Sequence, residues 1–408
     1  MANVISDSNM QSTTLNNTPN AERFCVALFG KCNSGKSSLL NAIVGQPVSI
    51  VSDVAGTTTD PVSKAMELPE VGASLLIDTP GLDDDTALGK ERVQRTHEAM
   101  AKADVAVVLF TAEPSEVESK LIKELKDRDI PTIAVISKCD TIEDIKSLSE
   151  QISNTTGLNP IPTSATLGEG IEQVRNAIAT HHKSEERLIT EGFCQSGDLV
   201  MLVMPQDAQA PQGRLIKPQA QTLRELLERG CMAICCTAEQ MADALASLSQ
   251  PPKLIITDSQ AFDKVYALKP ESSILTSFSI LFARYKGDIE EFVAGAKAIQ
   301  KLTSSSRVLI AEACAHAPKS EDIGRVKLPR LLRRKAGEEL KIDIVAGNEF
   351  PTDLTPYDVV IHCGACMFNR RHVLSRIAQA KAQGVPITNY GVTIAALQGI
   401  LGKVKTDA

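Results

Sequence analysis

Three cysteines and two histidines fall in two short segments near the C-terminus, Glu312-Ala-Cys314-Ala-His316 and His362-Cys363-Gly-Ala-Cys366. Thiolates are ligands for soft metal centres, and a Cys-x-x-Cys pair lets two of them reach one centre. Each segment follows an apolar run, Val308-Leu-Ile-Ala or Val359-Val-Ile, of the kind that forms a strand covered on both faces of a parallel sheet. If those strands are neighbours, their carboxyl ends bring the three thiols to one rim, where open α/β sheets place ligands. Three sulfurs plus one variable position suit an iron–sulfur cluster with an exchangeable site, or a zinc ion. A redox dithiol or simple core cysteines are the alternatives. Concentration favours the metal: the whole chain has ten cysteines and six histidines. Glu321 and Asp322 lie close in sequence to Cys314, and either could supply an oxygen as a fourth, labile ligand. The basic run Arg325 to Lys335 could face an anionic cluster or partner, with a solvated surface as its default reading.

A second chemistry sits near the other end. Gly30-Lys-Cys-Asn33-Ser34-Gly35-Lys36-Ser37-Ser38 is the G-x-x-x-x-G-K-S phosphate loop, preceded by the apolar run Phe24 to Phe29. Backbone N–H groups of the loop and of the helix that follows face the phosphates. Lys36 would reach the β and γ oxygens, and the Ser37 hydroxyl would ligate Mg²⁺. The stretch Gly56-Thr-Thr58-Thr-Asp60 stands where a switch loop places a threonine on Mg²⁺ and the γ-phosphate. Leu75-Leu-Ile-Asp78-Thr-Pro-Gly81 reads as a strand ending in D-x-x-G, with Asp78 holding Mg²⁺ through its shell and the Gly81 amide on the γ-phosphate. Further along, Ser137-Lys138-Cys-Asp140 follows a strand at Thr132 to Ile136. Asp140 can accept from N1–H and the exocyclic amine of guanine, a donor pair that adenine lacks. Ser164 and Ala165 could add a backbone contact to the guanine oxygen. The expected nucleotide is therefore GTP.

These motifs need elements to hold them. At 408 residues the chain should form two or three α/β domains. The reading is a disordered polar tail over 1–21, a P-loop GTPase domain over 22–182, a small α/β domain over 190–265 and an α/β cluster-binding domain over 266–408. The charged stretch His181-His-Lys-Ser-Glu-Glu-Arg187 serves as linker. In the small domain, strands are expected over 199–204, 232–236 and 253–257, with helices over 219–229 and 238–248. A further helix over 288–302 should lead into the first cysteine-bearing strand, and short strands are expected over 341–345 and 385–390, with a helix over 373–383. Cys25, Cys32 and Cys139, and likewise Cys231, Cys235 and Cys236, read as small core residues. Net charge is −7, which speaks against general nucleic-acid binding. No apolar run reaches the roughly 20 residues needed to span a bilayer. Ten cysteines spread through a long chain without a signal-peptide pattern argue for a reducing cytoplasm.

Five motifs in order over about 160 residues resemble the TrmE/Era/EngA group of GTPases. Within that resemblance Thr58 is the switch ligand, and Asn33 matches the loop asparagine that accompanies potassium-stimulated hydrolysis. Ser137 departs from the group's Asn-Lys-x-Asp, and Leu82-Asp83 stands where Ras-like proteins carry a glutamine, which implies slow turnover. The order of the whole chain resembles the HydF family of [FeFe]-hydrogenase maturation GTPases. That resemblance implies a [4Fe–4S] cluster on Cys314, Cys363 and Cys366, with Glu321 as candidate fourth ligand and His316 and His362 as supporting or alternative ligands. It also implies a homodimer that carries a diiron subcluster to apo-[FeFe]-hydrogenase, with the radical-SAM maturases HydE and HydG as partners, and no nucleic acid or membrane. The other reading is an RNA- or ribosome-associated GTPase whose C-terminal cysteines hold structural zinc.

Overall fold

The computed structural model describes residues 20–45, 62–82, 89–182, 187–204, 215–313, 322–347, 349–365 and 367–406. It divides into two compact units, Met1–His182 and Lys183–Ala408. The tail expected over 1–21 lies outside the described residues up to 19, and Asn20–Glu22 forms a single 3₁₀ turn.

The first unit runs β1 (Phe24–Gly30), α1 (Lys36–Val44), β2 (Val62–Leu68), β3 (Gly72–Asp78), α2 (Gly89–Lys102), β4 (Val105–Phe110), α3 (Glu116–Asp127), β5 (Thr132–Ile136), α4 (Ile145–Thr156), β6 (Ile161–Pro162) and α5 (Ile171–His181). Its six strands lie in the order β2-β3-β1-β4-β5-β6. Every pairing is parallel except β2 with β3. The continuous apolar runs have the reason expected of them. Alternate residues of β1 and β4 face opposite layers: Ala27, Phe29, Val108 and Phe110 pack with Met100, Leu121 and Ile152, while Val26, Leu28, Val107 and Leu109 pack with Leu39, Ile43 and Ile178. Strand β2 was not anticipated. Its residues Ser63, Ala65 and Glu67 are exposed, and an edge strand of that kind lacks the apolar run that marks the inner strands.

The second unit contains two four-stranded sheets. The first is built from β7 (Leu199–Val203), α6 (Lys217–Glu228), β8 (Met232–Cys236), α7 (Met241–Ala246), β9 (Leu254–Thr257), α8 (Phe262–Leu268), β10 (Ile274–Ser277) and α9 (Phe278–Lys286), with strand order β10-β9-β7-β8. Strand β10 pairs with β9 beyond the boundary at residue 265 expected from the sequence, so this sheet reaches Ser277. Four residues ending in Thr-Ser carry too little apolar patterning to reveal a strand. Cys231 is buried as anticipated, but Cys235 is exposed, because β8 is the sheet's edge and Met232 on it is 51 % exposed. In the first unit Cys25 and Cys139 are core residues and Cys32 is exposed.

The second sheet is built from α10 (Ile289–Ile299), β11 (Arg307–Ala311), α11 (Leu328–Ala336), β12 (Lys341–Val345), β13 (Val359–His362), α12 (Arg370–Ala382), β14 (Ile387–Asn389) and α13 (Tyr390–Leu397), in the order β12-β11-β13-β14 with all pairings parallel. A single core joins the two sheets of this unit: Met201, Val203 and Ile255 of the first share it with Leu309, Val360 and Ile387 of the second through Phe292, Val392 and Ala395. Asp288 caps α10 by accepting from the Glu291 amide at 3.1 Å, which sets the helix start that the sequence placed there. Helix α10 lies so close to β14 that a Cβ on Gly295 would overlap the carbonyl oxygen of Ile387. Gly295→Ala should therefore destabilise the second unit by about 1–3 kcal/mol. Urea unfolding read on the second unit, with a first-unit probe as internal control, checks it.

Candidate functional site

In the first unit, β1 ends at Gly30 and the loop turns into α1 through residues whose backbone is unusual. Asn33 has φ 58° and Gly35 has φ 89°, both left-handed, which asparagine and glycine tolerate. This curls the loop's N–H groups inward around the N-terminus of α1. The Lys36 ammonium donates to the carbonyls of Gly30 at 3.0 Å and Lys31 at 2.8 Å, so it is already held over the loop. The Ser37 hydroxyl donates to Asp78 Oδ2 at 2.5 Å, across 41 residues of sequence. The other oxygen, Asp78 Oδ1, is buried without a hydrogen-bond partner. A buried, unsatisfied carboxylate oxygen beside a hydroxyl is a donor set for a hard cation, and Mg²⁺ fits it. Gly81 packs directly on the loop: a Cβ there would lie 2.7 Å from the Cys32 nitrogen, so only glycine brings this segment against the phosphate cradle.

The base-side residues converge on the same edge of the sheet. Lys138 has φ 56° and starts the 3₁₀ turn Cys139–Thr141, which leaves Lys138 and Asp140 exposed beside the phosphate loop. The Cys139 amide donates to the Thr163 carbonyl at 3.0 Å and so ties this turn to Ser164 and Ala165. Burial raises the Cys139 thiol pKa and keeps it protonated, with Glu169 adding to the shift. Ser137 is buried, and a Cβ on Gly35 would lie 2.8 Å from its hydroxyl, so it joins the base turn to the phosphate loop. Thr58 lies outside the described residues.

The strands that lead into the two cysteine segments are neighbours. Strands β11 and β13 are direct parallel neighbours, with Ala311 opposite His362, so both chains leave the sheet at one rim. Cys363 is the first residue past β13. Its Sγ accepts from the amide of Ala313 at 3.0 Å and of Ala365 at 3.4 Å. Ala313 immediately precedes Cys314. Backbone N–H groups aimed at sulfur favour the thiolate, and such bonds surround cluster-ligating cysteines. Cys314, His316, Glu321 and Cys366 lie outside the described residues. Among the described residues no group of three potential ligands comes together.

Behind the rim stand charged residues whose pairing the sequence did not indicate. Glu312 is only 3 % exposed, and its Oε2 accepts from Arg325 Nε at 3.0 Å while Nη2 lies at 3.0 Å. The Tyr390 hydroxyl donates to Glu312 Oε1 at 3.4 Å, and burial raises its pKa well above the usual phenol range. Gly324 makes room for this: a Cβ there would overlap the Tyr390 hydroxyl. The basic run at 325–335 is thus partly internal rather than wholly solvated. Arg325 is paired inside, whereas Arg330, Arg334 and Lys335 are exposed on α11.

His362 is fully buried, and both ring nitrogens are engaged. Arg376 Nη1 is 3.0 Å from Nε2, and a guanidinium can only donate, so Nε2 accepts and Nδ1–H donates to the Cys363 carbonyl at 2.9 Å. Burial, then the Arg376 charge, push its pKa down to about 3, and the imidazole stays neutral. In this arrangement His362 holds the Cys363 carbonyl. Arg376 is itself held between the rings of Phe350 and Phe368, at 4.5 and 4.6 Å. No short-range pattern in the sequence marks Arg376 or Tyr390, because their partners lie on other elements.

A nucleotide-binding parallel sheet with a P-loop, followed by two smaller α/β sheets that share a core, defines a P-loop GTPase carrying appended assembly domains. Family models agree with that division: one described as "50S ribosome-binding GTPase" matches residues 25–138, one as "Hydrogen maturase F dimerization domain" matches 189–287, and one as "Hydrogen maturase F tetramerization domain" matches 290–405. The chain belongs to the hydrogen maturase F family, whose GTPase half is of the TrmE/Era/EngA type. Similar curated proteins include the tRNA modification GTPase MnmE of Xanthomonas oryzae pv. oryzae, 35 % identical over 148 residues, covering 36 % of this chain and 31 % of the relative. MnmE of Endomicrobium trichonymphae is 37 % identical over 163 residues, covering 38 % and 34 %. GTPase Der of Clostridium perfringens is 39 % identical over 131 residues, covering 30 % of each. The chain spans about a third of the length of these relatives, all within the GTPase part. No helix among the described residues is long and apolar enough to cross a membrane.

Removing one partner of the Glu312–Arg325 pair leaves a charge without its counterpart. For a fully buried pair this costs about 3–5 kcal/mol. Arg325 is 30 % exposed, so Glu312→Ala should cost about 2–3 kcal/mol, less than that range because water reaches the guanidinium. The double variant with Arg325→Met should cost clearly less than the sum of the two singles, which denaturant unfolding of the four proteins checks.

Proposed function

We propose that this chain is a GTP-hydrolysing scaffold and carrier that assembles a diiron subcluster and delivers it to apo-[FeFe]-hydrogenase. The observation that carries the reading is the Cys363 sulfur, held by the Ala313 and Ala365 amides at the rim that β11 and β13 share. Cys314 and Cys366 would complete a three-thiolate set, with Glu321 as fourth ligand and His316 as supporting or alternative ligand. The donor chemistry fits a [4Fe–4S] cluster, which when bound supplies an iron with an exchangeable position where the diiron cargo can dock. His362, oriented by Arg376, holds the Cys363 carbonyl, and the Glu312–Arg325–Tyr390 group braces the strand end that leads into Cys314.

In the GTPase half, Lys36 binds the β and γ phosphate oxygens, and Ser37, Thr58 and Asp78 hold Mg²⁺. Gly30, Asn33, Ser34, Gly35 and Ser38 would form the phosphate cradle. Asp140 reads the guanine donors, Lys138 covers the base, and Ser164 and Ala165 contact its oxygen. The Gly81 amide senses the γ-phosphate, so hydrolysis of GTP by water to GDP and phosphate releases that contact. No glutamine follows Gly81, which would make turnover slow, and Asn33 would hold a potassium ion at the loop. GTP therefore acts as a switch. The protein works as a homodimer in the cytoplasm, with HydE and HydG as the maturases that load it.

Anaerobic iron and sulfide analysis with EPR, on the reconstituted wild type and on Cys363→Ala, tests the scaffold. About four irons per chain and a reduced-cluster signal, both lost in the variant, are expected. A colourless protein holding one zinc overturns it in favour of an RNA-associated GTPase. Lys36→Ala should lower GTP hydrolysis by about 10²–10³ while iron content stays at the wild-type level. Loss of iron as well would show that the two halves are not independent.

A further inference from the structure

The loop after Cys363 is held from one side by a residue of a different domain. Lys286, at the last turn of α9, is 4 % exposed, and its ammonium donates to the carbonyls of Ala365 at 3.1 Å and Phe368 at 2.9 Å. The Phe368 amide also donates to the Ala365 carbonyl at 3.1 Å, so both bonds fall on one tight turn. Ala365 sits in that turn at φ 52°, a left-handed conformation that costs alanine of order 1–2 kcal/mol and persists only where the surroundings impose it. The reverse contact is made by Arg370, which opens α12: its Nη1 donates to the carbonyls of Gly287 at 2.7 Å and Tyr285 at 3.3 Å. Each side of the clasp thus places a cation on the other side's carbonyls. Helix α9 lies inside residues 189–287, matched by the dimerization domain, whereas the loop lies inside 290–405. A buried ammonium is costly to desolvate, so a lysine kept at this point needs a compensating role.

We propose that Lys286 is a positioning residue for the cysteine loop: it imposes the Ala365 turn that presents the Cys363 sulfur, and it sets a fixed positive charge beside the metal site. The charge half rests on the cluster reading above, whereas the turn half stands on the chain alone. Net charge near a cluster is one of the levers on its reduction potential. A cation here favours the reduced, more negative cluster and raises that potential. It also makes the state of the dimerization domain felt at the loop, because α9 cannot shift without moving Lys286.

The test uses the full-length protein, as wild type, Lys286→Met, Lys286→Arg and Arg370→Lys. On the metal-free chain, alkylation of Cys363 by iodoacetamide, at a pH high enough that the thiol is ionised in every variant so that the rate reports access, is followed by peptide mass spectrometry. The methionine variant should react about tenfold faster, the equivalent of losing one or two charge-assisted hydrogen bonds, and arginine should restore part of the protection. On the reconstituted protein, the ratio of reduced to oxidised cluster at a fixed potential should fall about tenfold in the methionine variant, a drop of about 59 mV for a one-electron couple. Arg370→Lys keeps the charge and loosens the clasp, so it should speed alkylation and leave the potential unchanged. That variant keeps the question decidable if Lys286→Met fails to fold. Equal alkylation rates in all variants overturn the positioning role, and an unchanged potential in Lys286→Met overturns the charge role. A wild type that takes up no iron defeats the scaffold reading, and the alkylation comparison still decides the turn.

Discussion

The parallel pairing of β11 with β13, in register at Ala311 and His362, is the constraint on which the second unit's site depends. Two segments about 50 residues apart leave the sheet side by side only because these strands are neighbours. The amide of Ala313 can then donate to the Cys363 sulfur. A slip of one residue would exchange the faces of the strand and turn Cys363 away from that amide. The pairing is strongly specified, since Val308, Ile310, Val359 and Ile361 are fully buried on one face and Leu309 and Val360 on the other.

Around this register the fold buries several polar and charged side chains. Glu312 with Arg325, Arg376 with His362, and Lys286 with two carbonyls all lie behind or beside the same rim. Net stability is a poor explanation for them, because a buried ion pair roughly breaks even with well-packed apolar residues. Fixing backbone geometry is a better one. Lys286 and Arg376, with Tyr390 beside Glu312, reach from helices to carbonyls or side chains at the strand ends, and each cation defines a position that an apolar side chain would leave loose. The same logic governs the first unit. There Gly81 lies on the phosphate loop and Ser137 abuts Gly35, so the switch segment, the cradle and the base turn share contacts at single-atom tolerance.

The two units differ in what their chemistry asks of the chain. In the GTPase unit the working groups are mainly backbone amides around one loop, and the glycines that expose them are local. In the second unit the working groups are side chains from strand ends, held by residues drawn from α9, α12, α13 and the segment before α11. The first arrangement tolerates variation elsewhere in the domain. The second makes the Cys363 rim answerable to the packing of the neighbouring sheet.

Much of this was legible in the sequence. The phosphate loop, the D-x-x-G strand, β4 at Val105–Phe110, and the two cysteine-bearing strands announce themselves because buried parallel strands are continuous apolar runs and phosphate cradles demand glycine at set spacings. The strand adjacency that joins Cys363 to the segment before Cys314 could be posed from sequence as a condition, and the tertiary structure met it. Other features only the fold could decide. The edge strands β2 and β10 carry weak patterns, since exposure on one side removes the apolar signal. Cys235 lies exposed because β8 is an edge, a fact of strand order and not of composition. The contact of His362 Nε2 with Arg376, 14 residues on, is likewise a product of the fold. Lys286 carries no local mark at all, because its partners stand about 80 residues away and become neighbours only when two sheets share one core.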